Sequence, residues 1–336
     1  MQDKPYDEGN IPAVPSLLRR GWDWLAVEPH QRTGARALQV ATGLMLLFRV
    51  FSEGRFYNYL WGPNAIGQGG LVRLLGRDLG SLLDHAFATS AGTIGVLGVL
   101  AGSAALLVSG RFTRLATLLA LITFLMLEQR LPELPDGGDN IARIILVYML
   151  FLLPPRAKPR KGELLVWFHN LGVLAIALQI VILYTTSGIM KAYGDKWHHG
   201  VAMYYVSQVE WFSLPAMRRM FMNPLVVTLS SYIPMFYQLF FAVAILGPLK
   251  LPWLFVGMLF HLGVASFMGL VSFSIAMVGL ECFLISDAEY VRLAAIAHRQ
   301  IAAANRRWNA LRSRMGPAAS PEPALALNPK TRIDRA

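Results

Sequence analysis

One cysteine, Cys282, stands in 336 residues, which excludes an intrachain disulfide, a paired-cysteine redox centre and a thiolate zinc site. Any redox role therefore depends on a bound cofactor. Charge is scarce too: Asp, Glu, Lys and Arg make up 15% of the chain against 55% hydrophobic residues, whereas a soluble domain is about one quarter charged. Alternation over segments of about ten residues is missing, which argues against a transmembrane β-barrel. The chain has no apolar core before Leu17 and carries Asp3, Asp7 and Glu8, so no cleavable signal peptide is expected and the first span is expected to direct insertion itself.

What the chain has instead is apolar blocks of about 20 residues, the length that crosses a bilayer. They predict an all-α, polytopic integral membrane bundle of about eight transmembrane helices. The expected spans are residues 36–51, 90–109, 115–128, a fourth ending at Pro154, 164–191, 225–246, and two within the apolar run 252–285, which is too long for one helix and turns near Gly269. Basic residues test the count independently. Eight spans put Arg111 and Arg114, the loop from Arg156 to Lys161, Lys250 and the tail arginines on one side with both termini, which is then cytoplasmic. The formal net charge of +11 is thus topogenic, with no nucleic acid implied. A multi-pass protein of the cell membrane, the bacterial cytoplasmic membrane, is the expected location.

The domain reading follows. Residues 1–34 are a cytoplasmic or interfacial lead-in with Trp22 and Trp24, residues 35–286 the transmembrane domain, 287–315 a basic amphipathic cytoplasmic helix on anionic lipid, and 316–336 a Pro- and Ala-rich disordered tail. Three segments fall outside: a loop through Tyr59, Trp61 and Gly70 that continues into an interfacial helix at 71–87, an acidic connection at 128–140, and a cluster at the end of span five. Arg49, near the end of the first span, reads as a snorkelling arginine.

That cluster concentrates the chemistry. Lys191, Asp195, Lys196, His198 and His199 are threaded with Tyr184, Tyr193, Trp197, Tyr204, Tyr205 and Trp211. Lys191 admits two readings: a lysine snorkelling among interfacial aromatics, or one kept neutral in a dry pocket and acting as a general base. His198 and His199 point about 100° apart in a helix and do not easily share a metal; joining one of them to Asp195 and Asp139 is the minority reading, and no metal is expected. His261 lies inside span seven, where an ionisable group is costly unless it faces the bundle interior with a partner. Glu281, nearer the inner end of span eight, reads equally as a boundary carboxylate or a functional one. His169 and Gln179 read as interhelical hydrogen-bonding groups.

The pattern Tyr184-x-x-Ser187-Gly188-x-x-Lys191, then Trp197, Gly200, Ala202 and Tyr204, resembles the central motif of HTTM-domain proteins, the membrane domain shared with vitamin K-dependent gamma-carboxylase. So does Phe260-His261-Leu262 with Phe267-Met268-Gly269-Leu270 and Phe273-Ser274-x-x-Met277. Weaker matches are Arg49, Tyr59-x-Trp61-Gly62-Pro63 and Asp139-Asn140, and the likeness covers roughly residues 35 to 290. It implies a quinone or hydroquinone of the vitamin K type as cofactor and places Lys191 where the carboxylase has its base. His261 and Asp139 are the supporting catalytic groups expected, and Trp197, Tyr184, Tyr204 and Phe273 the cofactor contacts. The chain departs from the carboxylase in reading Met190-Lys191 in place of two lysines, in having no histidine at 136–140, and in the expected absence of a large extramembrane region. Glutamate carboxylation is therefore not expected, and a quinone-linked or maturation role is.

Two functions compete. One is an enzyme using Lys191 as base on a lipophilic cofactor that enters from the lipid bilayer. The other is a non-catalytic protein whose aromatic outer surface binds a secreted peptide or protein in maturation, export or immunity, through Trp197, Tyr204 and Trp211. A transporter is disfavoured, because neither paired broken helices nor an inverted repeat is visible.

Overall fold

The computed structural model describes residues 16–67, 70–132, 137–210 and 213–314, and among these every regular element is helical. Trp211 and the tail 316–336 lie outside the described residues.

Helices α1 (Ser16–Ala26) and α2 (Arg32–Glu53) open the chain. The next segment is broken into α3 (Tyr57–Leu60), α4 (Val72–Leu75) and α5 (Arg77–Asp84). Residues 71–87 are therefore not the single interfacial helix expected, because Gly76, at φ +81°, turns the chain between α4 and α5. Helix α6 (Ser90–Ser109) starts where the Thr89 side chain accepts the Gly92 N–H at 3.1 Å. Helix α7 (Thr113–Arg130) and α8 (Gly137–Met149) follow. Glu128 and Asp139 belong to these two helices and are buried, so the acidic connection is shorter than expected; its residues 133–136 lie outside the described residues.

Helix α9 (Leu164–Tyr193) is the longest in this part of the chain. Short α10 (Asp195–His198), α11 (Ala202–Gln208) and α12 (Pro215–Met220) then lead to α13 (Pro224–Leu239), where Asn223 Oδ1 accepts the Leu225 N–H at 2.9 Å and Pro224 takes the first turn. Helix α14 (Phe241–Leu246) continues after a break at Phe240. Helix α15 (Lys250–Met268) and α16 (Val271–Leu284) form the expected pair, with Gly269 at φ +73°, a left-handed conformation that a side chain would oppose. Helix α17 (Asp287–Arg314) completes the described chain; beyond Asp287 it is a separate compact unit, with Arg299, Ile301, Arg306 and Trp308 mostly exposed along it.

Within the first unit α2 is central, packing most extensively on α16 and then on α6, while α6 packs on α7, α15 on α16 and α9 on α13. Polar groups secure the helix ends. The Asp287 carboxylate accepts the Arg32 N–H at 3.0 Å and the Thr33 N–H at 2.7 Å, satisfying the free donors that open α2. The Arg36 guanidinium donates to the carbonyls of Leu107, at 2.6 Å, and Val108 at the end of α6. His169 accepts the Leu153 N–H at Nδ1, so its Nε2 donates to the His30 carbonyl at 2.7 Å, while Asn170 Nδ2 donates to the carbonyls of Trp24, Leu25 and Glu28. These two side chains bind the end of α1 and the segment after it to α9. Arg49 does not snorkel: it is buried, paired with Asp139 and, at 3.0 Å, with Glu53, above the Phe124 ring.

By length and composition, four helical segments among the described residues are apolar enough to cross a membrane: Arg32–Leu60, Ser90–Ser109, Leu164–Tyr193 and Lys250–Met268. A fifth results if Val271–Leu284 and Asp287–Leu311 count as one span. Helices α8, α13 and α16, at 13, 16 and 14 residues, fall short of the usual length of about 20.

Candidate functional site

A cavity of about 660 Å³ opens among α8, α9, α11, α13, α15 and α16, within the range of about 300–1,000 Å³ that holds small organic ligands. Its wall is mainly Leu, Ile, Val, Met and Phe side chains. Lys191, Trp197, Tyr184, His261 and Phe273 all line it, so five of the seven expected site residues come together. The other two do not. Asp139 is held by Arg49, although its neighbours Gly137 and Asn140 reach the wall. Tyr204 is partly exposed and packs edge-on against Tyr205.

Tyr184 and Lys191 are seven residues apart in α9, two turns, so both face the cavity, separated by about 10 Å along the axis. At the Lys191 end, Nζ donates to Ser187 Oγ at 2.9 Å and lies 5.1 Å from the centre of the Trp197 ring. Lys191 is half-buried, and among the described residues no carboxylate stands within ion-pair distance of it. An amine without a counter-ion, beside an apolar cavity, has the surroundings of a general base.

At the other end four helices contribute one polar side chain each: Tyr184 from α9, Tyr237 from α13, His261 from α15 and Glu281 from α16. All four are buried. The Tyr184 hydroxyl donates to Glu281 Oε1 at 2.6 Å and lies 2.8 Å from His261 Nε2. Tyr237 donates to the same carboxylate oxygen at 3.2 Å. The Tyr184 ring stacks on Phe241 at 4.0 Å, and Phe273 meets the His261 ring at 5.7 Å. Glu281 is therefore no boundary carboxylate; it is fully buried at the centre of this cluster. Tyr237 carried no signal in the sequence beyond its residue type, and its role arises from how α13 is rotated against α16.

The wall near α11 and α12 includes Met203, Met217, Phe221 and Met268, which cluster with Val227. Methionine there adapts to the shape of an occupant. A second groove of similar volume, between α2, α15 and α16, is almost wholly apolar and gathers no cluster of ionisable groups. Beyond the cavity, His199 lies beside Asp195 at 3.2 Å and the His198 carbonyl accepts the Tyr232 hydroxyl at 2.7 Å. Among the described residues no three His, Cys, Asp or Glu side chains gather as metal ligands.

No family model matches this chain, and no solved structure does. A protein of Bacillus subtilis (strain 168) carrying the name "Uncharacterized protein YitO" is 27% identical to it over 165 residues, 43% of this chain and 52% of that protein. The chain is thus similar to a curated relative of which it matches about half the length.

Proposed function

We propose that this chain is a multi-pass protein of the cell membrane, of the HTTM-domain type, that holds a quinone-like molecule in the cavity and uses Lys191 as its base. Eight spans with both termini cytoplasmic is the topology we favour, with α13 and α14 counted as one span across the break at Phe240. The apolar segments that are helical and the arginines that cluster in the loops between them support it.

The observation that carries the proposal is the placing of Lys191: an amine with a hydroxyl and an indole beside it, on the wall of an apolar cavity. The residues fit a flat, lipophilic ring. Trp197 and Phe273 offer aromatic faces at opposite ends, Tyr184 and His261 offer polar atoms, and the wall between is mainly apolar. A hydroquinone supplies, when bound, an ionisable hydroxyl and two reducing electrons. Lys191 would take the proton of that hydroxyl, with Ser187 orienting the amine, and Trp197 would hold the resulting ammonium group through its ring.

The test is a titration with menadiol, a small naphthohydroquinone. Wild type should quench tryptophan fluorescence in a manner lost in Trp197→Phe, and should shift menadiol absorbance to that of its anion. Lys191→Ala should keep the quenching and show less of the anion. Absence of quenching, or an anion undiminished in Lys191→Ala, would overturn the proposal.

The alternative function, capture of a secreted peptide or protein, draws on one observation. Tyr193, Tyr204 and Tyr205 stand exposed around the end of α9 and along α11, a surface that an extended peptide would cover.

A further inference from the structure

We propose that His261, Tyr184 and Glu281 form a proton relay that receives a proton from the cavity and stores it on the buried Glu281 carboxylate. The inference rests on the reading above, that the cavity holds a ring bearing hydroxyl groups, and assigns a second base to its far end.

The hydrogen-bond geometry sets the direction. A phenol has one proton, and at 2.6 Å the Tyr184 hydroxyl gives it to Glu281 Oε1. Its oxygen then accepts from His261 Nε2, 2.8 Å away, so that nitrogen carries the hydrogen. His261 Nδ1 is left as an acceptor, and among the described residues it has no hydrogen-bond partner. Direct transfer between His261 and Glu281 is ruled out by the 3.9 Å between Nε2 and Oε1, whereas the Tyr184 oxygen is within hydrogen-bond reach of both. Tyr237 donates to Oε1 but stands outside the path.

The step balances without a redox partner. A hydroxyl at the His261 end gives its proton to Nδ1, and the electron pair of that O–H bond stays on the donor oxygen. His261 passes its Nε2 hydrogen to Tyr184, and Tyr184 passes its own to Glu281 Oε1. The net change is one O–H bond broken on the occupant, one formed on Glu281, and His261 neutral again as the other tautomer. Among the described residues no further ionisable side chain touches the chain of three: α9, α13, α15 and α16 contribute Tyr184, Tyr237, His261 and Glu281 there. A molecule with hydroxyls at both ends, a para-dihydroxy aromatic ring, would thus meet Lys191 at one and His261 at the other.

Infrared difference spectroscopy on adding menadiol tests this, because it reads the carboxyl group directly. Wild type should gain a protonated-carboxyl band that is absent in Glu281→Gln and in Tyr184→Phe and retained in Tyr237→Phe, while menadiol quenches Trp197 in wild type, Glu281→Gln and Tyr237→Phe. Quenching without the band in wild type, or a band that survives Tyr184→Phe, overturns the relay and leaves the Lys191 base standing. No quenching in wild type overturns both.

Discussion

Gly257 lies directly against the Glu281 carboxyl: a β-carbon there would stand 2.0 Å from Oε1 and 2.1 Å from the Tyr237 hydroxyl. Nothing larger than hydrogen fits between α15 and the pair. Gly257→Ala should therefore lose about 1–3 kcal/mol from overpacking, more than the gain of about 1 kcal/mol that alanine brings to a helix. Gly263→Ala, in the same helix with open space at its β position, should be neutral or slightly stabilising. Thermal unfolding in detergent compares the two.

Arg49 is buried between Asp139 and Glu53, so removing the guanidinium takes away the cation that pairs with both carboxylates. Arg49→Met should cost about 3–5 kcal/mol. The double variant Arg49→Met with Asp139→Leu should recover much of the loss, because the charge goes with its partner. A double-mutant cycle in thermal stability measures the coupling.

Asp287 caps α2 through the N–H groups of Arg32 and Thr33. Burial pushes its carboxyl upward, but the hydrogen bonds from Thr33 and Arg32 and the charge of Arg32 together hold it below the usual carboxylate value. The folded pKa is thus below the unfolded one, near 4, so the cap contributes fully above about pH 4 and fades as pH falls through the lower, folded value. Asp287→Ala should lose about 1 kcal/mol at neutral pH. The difference from wild type should shrink on acidification below the unfolded value, read from unfolding curves across pH.

Asn170 holds three backbone carbonyls between Trp24 and Glu28 with one amide group. Asn170→Leu leaves them without that donor and should free the segment around α1. Trypsin cleavage at Arg19 or Arg20 should then be at least several-fold faster than in wild type, with the rest of the fold intact.

Much of the fold is legible in the sequence because apolar block length and breaker residues act locally. Thr89 and Gly110 bracket α6, and Gly269 turns α15 into α16, where composition alone placed them. The break at Phe240 carries no such signal, and the early end of α8 at Met149 comes from tight turns, Leu150 N–H to Val147 and Phe151 N–H to Tyr148, before Pro154 and Pro155. In the site, Lys191 and Tyr184 are readable as partners because two helical turns return them to one face. The joining of Glu281 and Tyr237 to Tyr184 is set by how three helices are rotated about their axes, which no spacing within one helix records. The Asp139-Asn140 match points Asp139 toward the site, but the neighbour that claims it, Arg49, comes from a helix about ninety residues earlier.

The central claim is that the cavity beside Lys191 holds a lipophilic ring, and mass spectrometry of small molecules that co-purify with the detergent-extracted protein tests it most directly. Wild type should carry a quinone enriched over an unrelated helical membrane protein, and a variant with the cavity filled, Gly263→Phe, should lose it while remaining folded. Equal quinone in wild type, variant and unrelated control would contradict the account.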